Sequence, residues 1–365
     1  MNTAQQVWLH IQQYGPASRA ELARHLRRSK PATAAAIDTL LHQKLLIELG
    51  QGQSALGRPP MLVALNHRSR LVVGAEVDVH ELRLGLGDLR GDLLEQRAYP
   101  WRGRQASDEL GPALRQAIDA LCAPHGQSPQ VLALGLPGVV RDGAVSYAPN
   151  LPELEDPATL ARLRGELRLP TLLHNDVNLA AVSEARPGEF LAFVSIGSGF
   201  GVGIAHGQVL LDGHQGRAGE LGYLPGADGN SLETQLSEAG LARLLGLQTA
   251  QLPPLLAESA PAIFERPTMR PFLDALLSAL QVLTVTLDPA RIVIGGRIGS
   301  KLGAQLPGLQ RQLQDTLPFT PYLCVSQFPD SAVVHGAVKM AAAKASADLL
   351  GELSHRATSP LPAYA

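Results

Sequence analysis

Apolar residues recur at helical spacing near the start of the chain, with Val7, Trp8 and Ile11 predicting a helix over 5–14 that Gly15-Pro16 ends. Ser18 followed by Glu21 forms the signature of a capping box and predicts a second helix from Arg19 to about Leu26, with Leu22 and Leu26 on one face. A basic turn, Arg27-Arg28-Ser29-Lys30, leads into Pro31, which suits the first turn of a third helix capped by Ser29 or Lys30 and running to about His42. This helix is expected to bury Ala34, Ile37, Leu40 and Leu41 and to show Lys30, Thr33 and Ala36 on its open face. Residues 45–49 and 61–65 read as strands around a Gly/Gln/Ser-rich loop over 50–57. Three short helices followed by a hairpin is the winged helix-turn-helix plan.

From Leu71 the period shortens. Strands are expected over 71–79, 81–89 and 91–99, then a helix over 107–123, a strand over 131–136, a helix over 160–167, a strand over 171–174 and a helix over 177–185. Strands over 190–196, 202–205 and 208–211 follow, then helices over 233–245 and 269–287 and a strand over 291–294 that runs into Gly295-Gly296. Strands alternating with helices imply an α/β body with covered sheets. The order meander, helix, strand, helix begins near 71 and again near 190, which suggests two similar lobes facing a cleft. The expected division is 1–70 for the winged helix, 71–187 for a first lobe to which C-terminal helices within 325–350 return, 188–324 for a second lobe, and a disordered tail over 352–365.

With 365 residues, 45% hydrophobic and 18% charged, wholesale disorder is excluded. Net charge becomes informative once it is split. Residues 1–70 hold nine Lys/Arg against three Asp/Glu, a net +6, within an overall −2, so the remainder stands at −8. A basic head on an acidic body suggests a nucleic-acid partner. The third helix would enter the major groove, with Arg27, Arg28, Ser29, Lys30 and Thr33 at bases or phosphates and Arg58 of the wing in the minor groove. A small helical module for protein docking is the alternative. Cys122 and Cys324 have no disulfide or zinc spacing, and apolar runs of about ten residues fall short of the roughly 20 that span a bilayer. No basic start followed by an apolar run marks a secretory signal, so a cytoplasmic protein without membrane contact is expected.

Candidate chemistry gathers in the body. Ser195-Ile-Gly-Ser-Gly-Phe-Gly-Val-Gly203 has the alternate glycines of an anion-holding loop, and a tight hairpin would explain them equally well. Glu220 lies in the glycine-rich stretch from Asp212 to Tyr223, Asn175-Asp176 meets a helix start, Asn150 ends a loop, and Glu233 opens a helix. Carboxylates and carboxamides of this kind bind neutral polyols, because a carboxylate accepts from two neighbouring hydroxyls while an amide both donates and accepts. Each also has a plain structural use, as helix cap or first-turn charge.

Taken together, these segments resemble the ROK family, named for repressors, open reading frames and kinases, in its winged-helix, sugar-responsive repressor branch, that of xylose and N-acetylglucosamine repressors. The segments that carry the resemblance are the helix-turn-helix with Gly57-Arg58-Pro59, Pro149-Asn150-Leu151, Asn175-Asp176 and its helix, and Ser195–Gly203. Ala218-Gly219-Glu220, Leu232-Glu233-Thr234, Ile294-Gly295-Gly296 and His335-Gly336-Ala337 complete them. The resemblance implies a two-lobed body of the actin-like, ribonuclease-H-like sugar-kinase type. It also implies a sugar held by Asn150, Asn175, Asp176, Glu220 and Glu233, with Tyr223 beside them.

Two departures matter. The kinases of the family end the first body strand in Asp-x-Gly-Gly-Thr, which holds ATP phosphates; here Glu76-Val77-Asp78-Val79-His80 puts acidic or bulky groups there. No catalytic residue and no cofactor are therefore expected, and Asp176, the kinase base, should serve as a hydrogen-bonding residue. The family's usual zinc site takes a His after Ala-Gly-Glu and three Cys before Leu-Glu-x. Tyr223 and 226–231 hold none of these ligands, so no metal is expected. The resulting expectation is a DNA-binding regulator, a repressor, that senses a sugar and works as a homodimer or tetramer on two-fold operator DNA. An ATP-dependent sugar kinase with an added DNA-binding head, and a regulator that has lost sugar binding and answers to a protein partner, stay open.

Overall fold

A computed structural model of the chain describes residues 1–51, 61–78, 81–101, 109–149, 151–226 and 229–356. Arg58, Asn150 and Val79-His80 lie outside the described residues.

The head begins with α1 (Thr3–Tyr14), β1 (Ala17–Ser18), α2 (Arg19–His25) and α3 (Lys30–His42), followed by β2 (Leu46–Gln51) and β3 (Met61–Leu65). Each helix starts on a side-chain cap, Asn2, Ser18 and Ser29 in turn, and Ser18 and Glu21 bond reciprocally. The short β1, which the sequence pattern does not reveal, joins the hairpin to make an antiparallel sheet of order β1-β3-β2. α3 buries Ile37 and Leu40, whereas Ala34 and Leu41 are half-buried. Thr33 corrects the expectation. It stands four residues before Ile37 and seven before Leu40, on the same helical face, and is fully buried. Its hydroxyl donates to the Ser29 carbonyl at 3.1 Å, so it does not face a groove.

The first sheet of the body is built from β4 (Leu71–Val77), β5 (Glu81–Asp88), β6 (Leu93–Pro100), β7 (Pro129–Leu136) and β10 (Thr171–Asn175). Between them run α4 (Leu110–Cys122), a small hairpin of β8 (Val139–Arg141) and β9 (Ala144–Ser146), and α5 (Pro157–Leu167), and α6 (Asp176–Glu184) follows β10 directly. The second sheet takes β11 (Phe190–Ile196), β12 (Phe200–His206), β13 (Val209–Leu210), β14 (Arg291–Gly295) and β15 (Tyr322–Val325). Its helices are α7 (Leu232–Gln235), α8 (Glu238–Leu245), α9 (Leu252–Phe264), α10 (Arg270–Leu287), α11 (Gly296–Gly299) and α12 (Leu306–Thr316), and α13 (Ala332–Arg356) closes the described chain.

The two sheets share one topology. Their orders are β10-β7-β4-β5-β6 and β13-β12-β11-β14-β15: three antiparallel strands, then two added in parallel beside the first. Alternation sorts the side chains of β4. Leu71, Val73, Ala75 and Val77 meet α4 and α5, while Val72 and Gly74 face α13. The second core gathers Val194, Ile196, Ile292 and Ile294 under α7 to α12. α10 with the turn before it, Pro267–Leu287, is long and apolar enough by composition to cross a membrane. It sets Phe272, Leu276, Leu280 and Leu283 into this core.

Several expectations change. The single helix over 233–245 is two, because Ser237 turns out of the first and caps the second. α9, α12, β15 and the β8–β9 hairpin come as additions. The tail expected to be disordered from 352 is helical to Arg356, and only 357–365 fall outside the described residues. α13 is one helix of 25 residues, about 37 Å long. It lies against the first sheet and α6, and its far end joins the core of the head through Leu349 and Leu353.

α6 crosses α13 at Gly336, where a Cβ would overlap the carbonyl oxygen of Leu179, and crosses β12 at Gly203, where it would overlap the carbonyl of Val177. We expect Gly336→Ala to lower stability by about 1–3 kcal/mol, read as a fall in Tm, because backbone rather than a flexible side chain must move. An unchanged Tm would show that the crossing relaxes freely.

Candidate functional site

Between the two sheets lies a cleft of about 360 Å³. Glu76, Asp78, Asn175 and Asp176 line it from the first sheet, Gly197–Gly201, Glu220, Tyr223 and Glu233 from the second, and Pro329–Val333 at its back.

Asn175 ends β10 and caps α6. Its Oδ1 accepts from the Asn178 N–H at 2.9 Å, and its Nδ2 donates to the Gly138 carbonyl at 2.9 Å and to Asp176 Oδ1 at 3.1 Å. These bonds serve the framework: they hold α6 and the Gly138 turn. Asp176 Oδ1 also accepts from the Val177 N–H at 2.7 Å. Burial, with Glu76 and Asp78 nearby, pushes the Asp176 carboxyl up to about 7 against the pull of that N–H. Glu76 is itself raised by burial, opposed by Arg83, its cross-strand partner at 3.0 Å. Arg83 also pairs with Glu81.

On the other wall, Glu233 Oε2 accepts from the Phe200 N–H at 2.8 Å. Burial raises its pKa and that of Glu220; the Phe200 N–H opposes the first shift and Arg217 the second, and Glu220 adds repulsion to Glu233. Tyr223, largely exposed, stands at the mouth. The glycine run 197–203 forms the tight hairpin, with Val194 opposite Val202 and the Gly197 N–H donating to the Gly199 carbonyl at 2.9 Å. Its glycines answer to packing. Gly203 touches α6, and a Cβ on Gly199 would lie 2.8 Å from Glu233 Oε1.

The cleft thus brings together Asn175, Asp176, Glu220, Glu233 and Tyr223, while Asn150, next to the cleft-lining Pro149, lies outside the described residues. Arg27, Arg28, Ser29 and Lys30 sit far from it in sequence, all exposed at the start of α3. Ser29 caps α3 through the Ala32 N–H at 3.3 Å, and Arg28 Nε donates to Gln6 Oε1 at 3.1 Å. Sequence reasoning missed Arg83, Tyr147 and Asp330. The Glu76–Arg83 pairing needs the β4–β5 register, and no spacing rule supplies it beforehand.

A family model described as ROK family matches residues 72–344. The chain belongs to the ROK family. The xylose repressor of Bacillus subtilis (strain 168) is 26% identical over 218 residues, 57% of this chain and 56% of that one. The chain spans about half the length of the curated relatives it matches. A solved ROK family transcriptional regulator, described as a homologue of the E. coli MLC protein, has a TM-score of 0.72 at 21% identity, covering 95% of this chain and 97% of that one. The ROK hexokinase from Thermus thermophilus has a TM-score of 0.61 at 24% identity, covering 76% and 99%. These likenesses establish the fold, an α/β body of the actin-like, sugar-kinase type.

The zinc that the ROK resemblance implies does not fit this chain. The usual site takes one His and three Cys, whereas this sequence has Tyr223 at the His position and no cysteine over 226–231, so that four-ligand set is missing. The segment closes on itself instead. The Gly226 N–H donates to the Asn230 carbonyl at 2.6 Å, the Leu232 N–H to the Leu224 carbonyl at 2.9 Å, and Ser231 caps α7, which bears Glu233.

Asp176 ionises near pH 3.8 in the unfolded chain and near 7 in the folded one. Between these values the folded state keeps a proton that the unfolded state has lost, so this group's contribution to stability falls as pH rises from about 4 to 7. Asp176→Asn should flatten that part of the Tm-against-pH curve, and ¹³C NMR of the Asp176 carboxyl should give a midpoint near 7. A midpoint near 4 would contradict the buried placement.

Proposed function

We propose that this ROK protein is a DNA-binding transcriptional regulator, a repressor, whose two-lobed body senses a sugar or sugar derivative. The observation that carries the reading is the path of α13. Its first residues, Ala332 and Val333, line the cleft. At its other end, the Leu350 and Leu353 carbonyls accept from Gln5 Nε2 at 2.9 Å and Asn2 Nδ2 at 2.6 Å, and Glu352 takes a two-pronged ion pair from Arg70 at 2.6 and 2.9 Å. One helix therefore touches both a polyol-suited cleft and a basic winged-helix head.

In this reading Glu220 and Glu233 accept from sugar hydroxyls, Asp176 and the loop at Asn150 complete the polar ring, and Tyr223 flanks it. Arg27, Arg28, Ser29 and Lys30 meet the DNA at the start of α3, and Arg58 reaches from the wing. Two heads on a two-fold operator call for a homodimer or tetramer acting in the cytoplasm. Sugar binding favours one closure of the lobes, and α13 carries that difference to the head.

A kinase reading is favoured by one observation: an Asp near pKa 7 in the cleft suits a general base. Against it, the end of β4 presents Glu76 and Asp78 where the family's kinases have a glycine and hydroxyl loop that holds the phosphates, and phosphoryl transfer depends on holding them. Sugar-dependent ADP formation, abolished by Asp176→Asn, would establish the kinase.

Fluorescence anisotropy with the DNA upstream of the chain's own gene tests the main reading. A pentose, hexose or amino sugar should change the affinity by about tenfold, the size of an ordinary coupling free energy. DNA binding indifferent to every sugar would remove sensing and leave the DNA function. The double variant Arg27→Ala/Lys30→Ala should weaken binding by more than about tenfold, with the salt slope reduced by about one for each phosphate no longer neutralised. Unchanged binding would place the DNA surface elsewhere.

A further inference from the structure

Tyr147 holds a backbone conformation that its side chain disfavours. Its φ is +53°, in the left-handed region where a Cβ crowds the following carbonyl. The other non-glycine residues of positive φ among those described have ordinary reasons. Arg168 and Asp288 end helices α5 and α10, Arg27 and Lys44 turn out of α2 and α3, and Asp142 makes the β8–β9 turn with Gly143. Tyr147 is neither a helix end nor a hairpin turn, and its neighbours force the geometry. Ala148 is fully buried, with its N–H donating to Glu155 Oε1 at 2.8 Å and its carbonyl accepting from the Leu151 N–H at 3.0 Å. Gly138, which Asn175 grips, packs against the Ser146 and Tyr147 carbonyls and the Ala148 side chain. Strain maintained on both sides, at a residue that lines a cleft, is a sign of use.

The ring is also held from the opposite lobe. Residues 212–220 leave the second sheet and cross to the first. Asp212 Oδ1 accepts from Asn178 Nδ2 at 2.9 Å, and Gly216 lies so close to the β8–β9 hairpin that a Cβ would sit 3.2 Å from the Val140 carbonyl. Next along this strap, the Arg217 guanidinium lies 4.8 Å from the centre of the Tyr147 ring, and its Nη2 donates to Tyr147 Oη at 3.4 Å. Three residues further on is Glu220 of the cleft. The half-exposed Tyr147 ring is thus fixed at the mouth from both lobes.

We infer that Tyr147 is a specificity-determining residue: its ring covers the C–H face of a cyclic sugar whose hydroxyls meet Glu220 and Glu233, and Arg217 makes the strap a clasp over the bound ligand. This deepens the sugar-sensing reading and rests on it. A sugar ring is polar at its rim and apolar on its faces, so carboxylates read the positions of the hydroxyls and leave the faces unread. An aromatic plane that meets one face reads it.

Calorimetry on the full chain with D-xylose, D-glucose, D-glucosamine and N-acetyl-D-glucosamine tests this. Tyr147→Asn is the informative variant, because Asn tolerates the left-handed backbone and folding should survive, as a Tm check will show. It should lose about tenfold in affinity for the tightest of the four sugars and change their ranking, while Tyr147→Phe, which keeps the ring, stays within about threefold. Arg217→Ala should speed amide hydrogen exchange across 212–219 and weaken the same sugar. Unchanged affinity and ranking in Tyr147→Asn, an equal loss for all four sugars, or a Phe variant as weak as the Asn variant would each overturn the inference while leaving sugar sensing in place. Failure of the unaltered chain to bind any of the four would overturn the inference for these pentose, hexose and amino-sugar rings, while sugar sensing itself is decided by the DNA-binding test against every sugar.

Discussion

Backbone meets backbone where α6 crosses α13, and the rest of the body is arranged around that contact. Gly336 leaves no room for a side chain over the Leu179 carbonyl, and Gly203 leaves none between β12 and the Val177 carbonyl on the other side. α6 is therefore clamped between an element of each lobe with no flexible layer between. Close-packed interfaces of this kind do not deform continuously; they hold or they move as units. The clamp fixes Asp176 at the start of α6 in the cleft and Glu184 at its end in the hinge. It also fixes the line along which α13 leaves the cleft for the head.

Charge holds the hinge as firmly as packing does. Glu184 is almost fully buried and accepts from Ser326 Oγ at 2.7 Å and from the Gln327 N–H at 2.7 Å, with Gln327 Nε2 at 3.2 Å. Arg291, also buried, grips Glu189 with two bonds of 2.9 Å and the Glu184 carbonyl at 2.7 Å. Lys339 of α13 donates to the Val182 and Ser183 carbonyls at 3.3 and 2.7 Å, where a helix end welcomes a cation. Both segments that pass between the lobes, 185–189 and 326–331, are thereby tied to α6. A buried carboxylate with this many donors is costly to leave unpaired, so the network favours one pivot over many.

The sequence revealed most where one face of an element meets water. Val7, Trp8 and Ile11 mark α1, whose other face is polar, whereas β4, covered on both faces, is legible as a short apolar run and β5 by Leu82, Leu84 and Leu86 alternating with Arg83 and glycines. α13 was harder to read: Ala337, Val338, Ala341, Ala342, Ala345 and Leu349 pack among the first sheet, α6 and the head, so no clear polar stripe sets its period or its end. Thr33 misled for a related reason. Its type suggests a surface, and only its phase with Ile37 and Leu40 shows that it is buried. In the cleft, residue types pointed to the right places but not to their division of labour. Asn175 reads as a ligand group and also caps α6 and holds Gly138, and of the two readings of the glycines after Ser195, anion loop or tight hairpin, the strand pairing shows the hairpin, with Gly203 packed on α6 and Gly199 beside Glu233. Tyr147 and Arg217 carried no signal, because their meeting depends on the distance between two lobes.

That distribution limits how a ligand can act at a distance. The floor of the cleft is the end of β10 and the start of α6, where Asn175 caps α6 and holds Gly138 and α6 is clamped. On the proposed sugar-sensing reading, contacts to this clamped element would be common to both closures of the lobes, and equal affinity for two states shifts neither. Differential contacts must come from the second-lobe wall, from Glu220, Glu233 and the strap between Asp212 and Glu220. α13 lies on the first sheet, but its first turn joins the small core shared with Leu191, Phe193 and Val293 of the second. On the same proposed reading, a ligand that draws the second-lobe wall inward would load the first turn of α13 through this core. The head, bonded to the last turns of the same helix, is where that reading would have the load delivered.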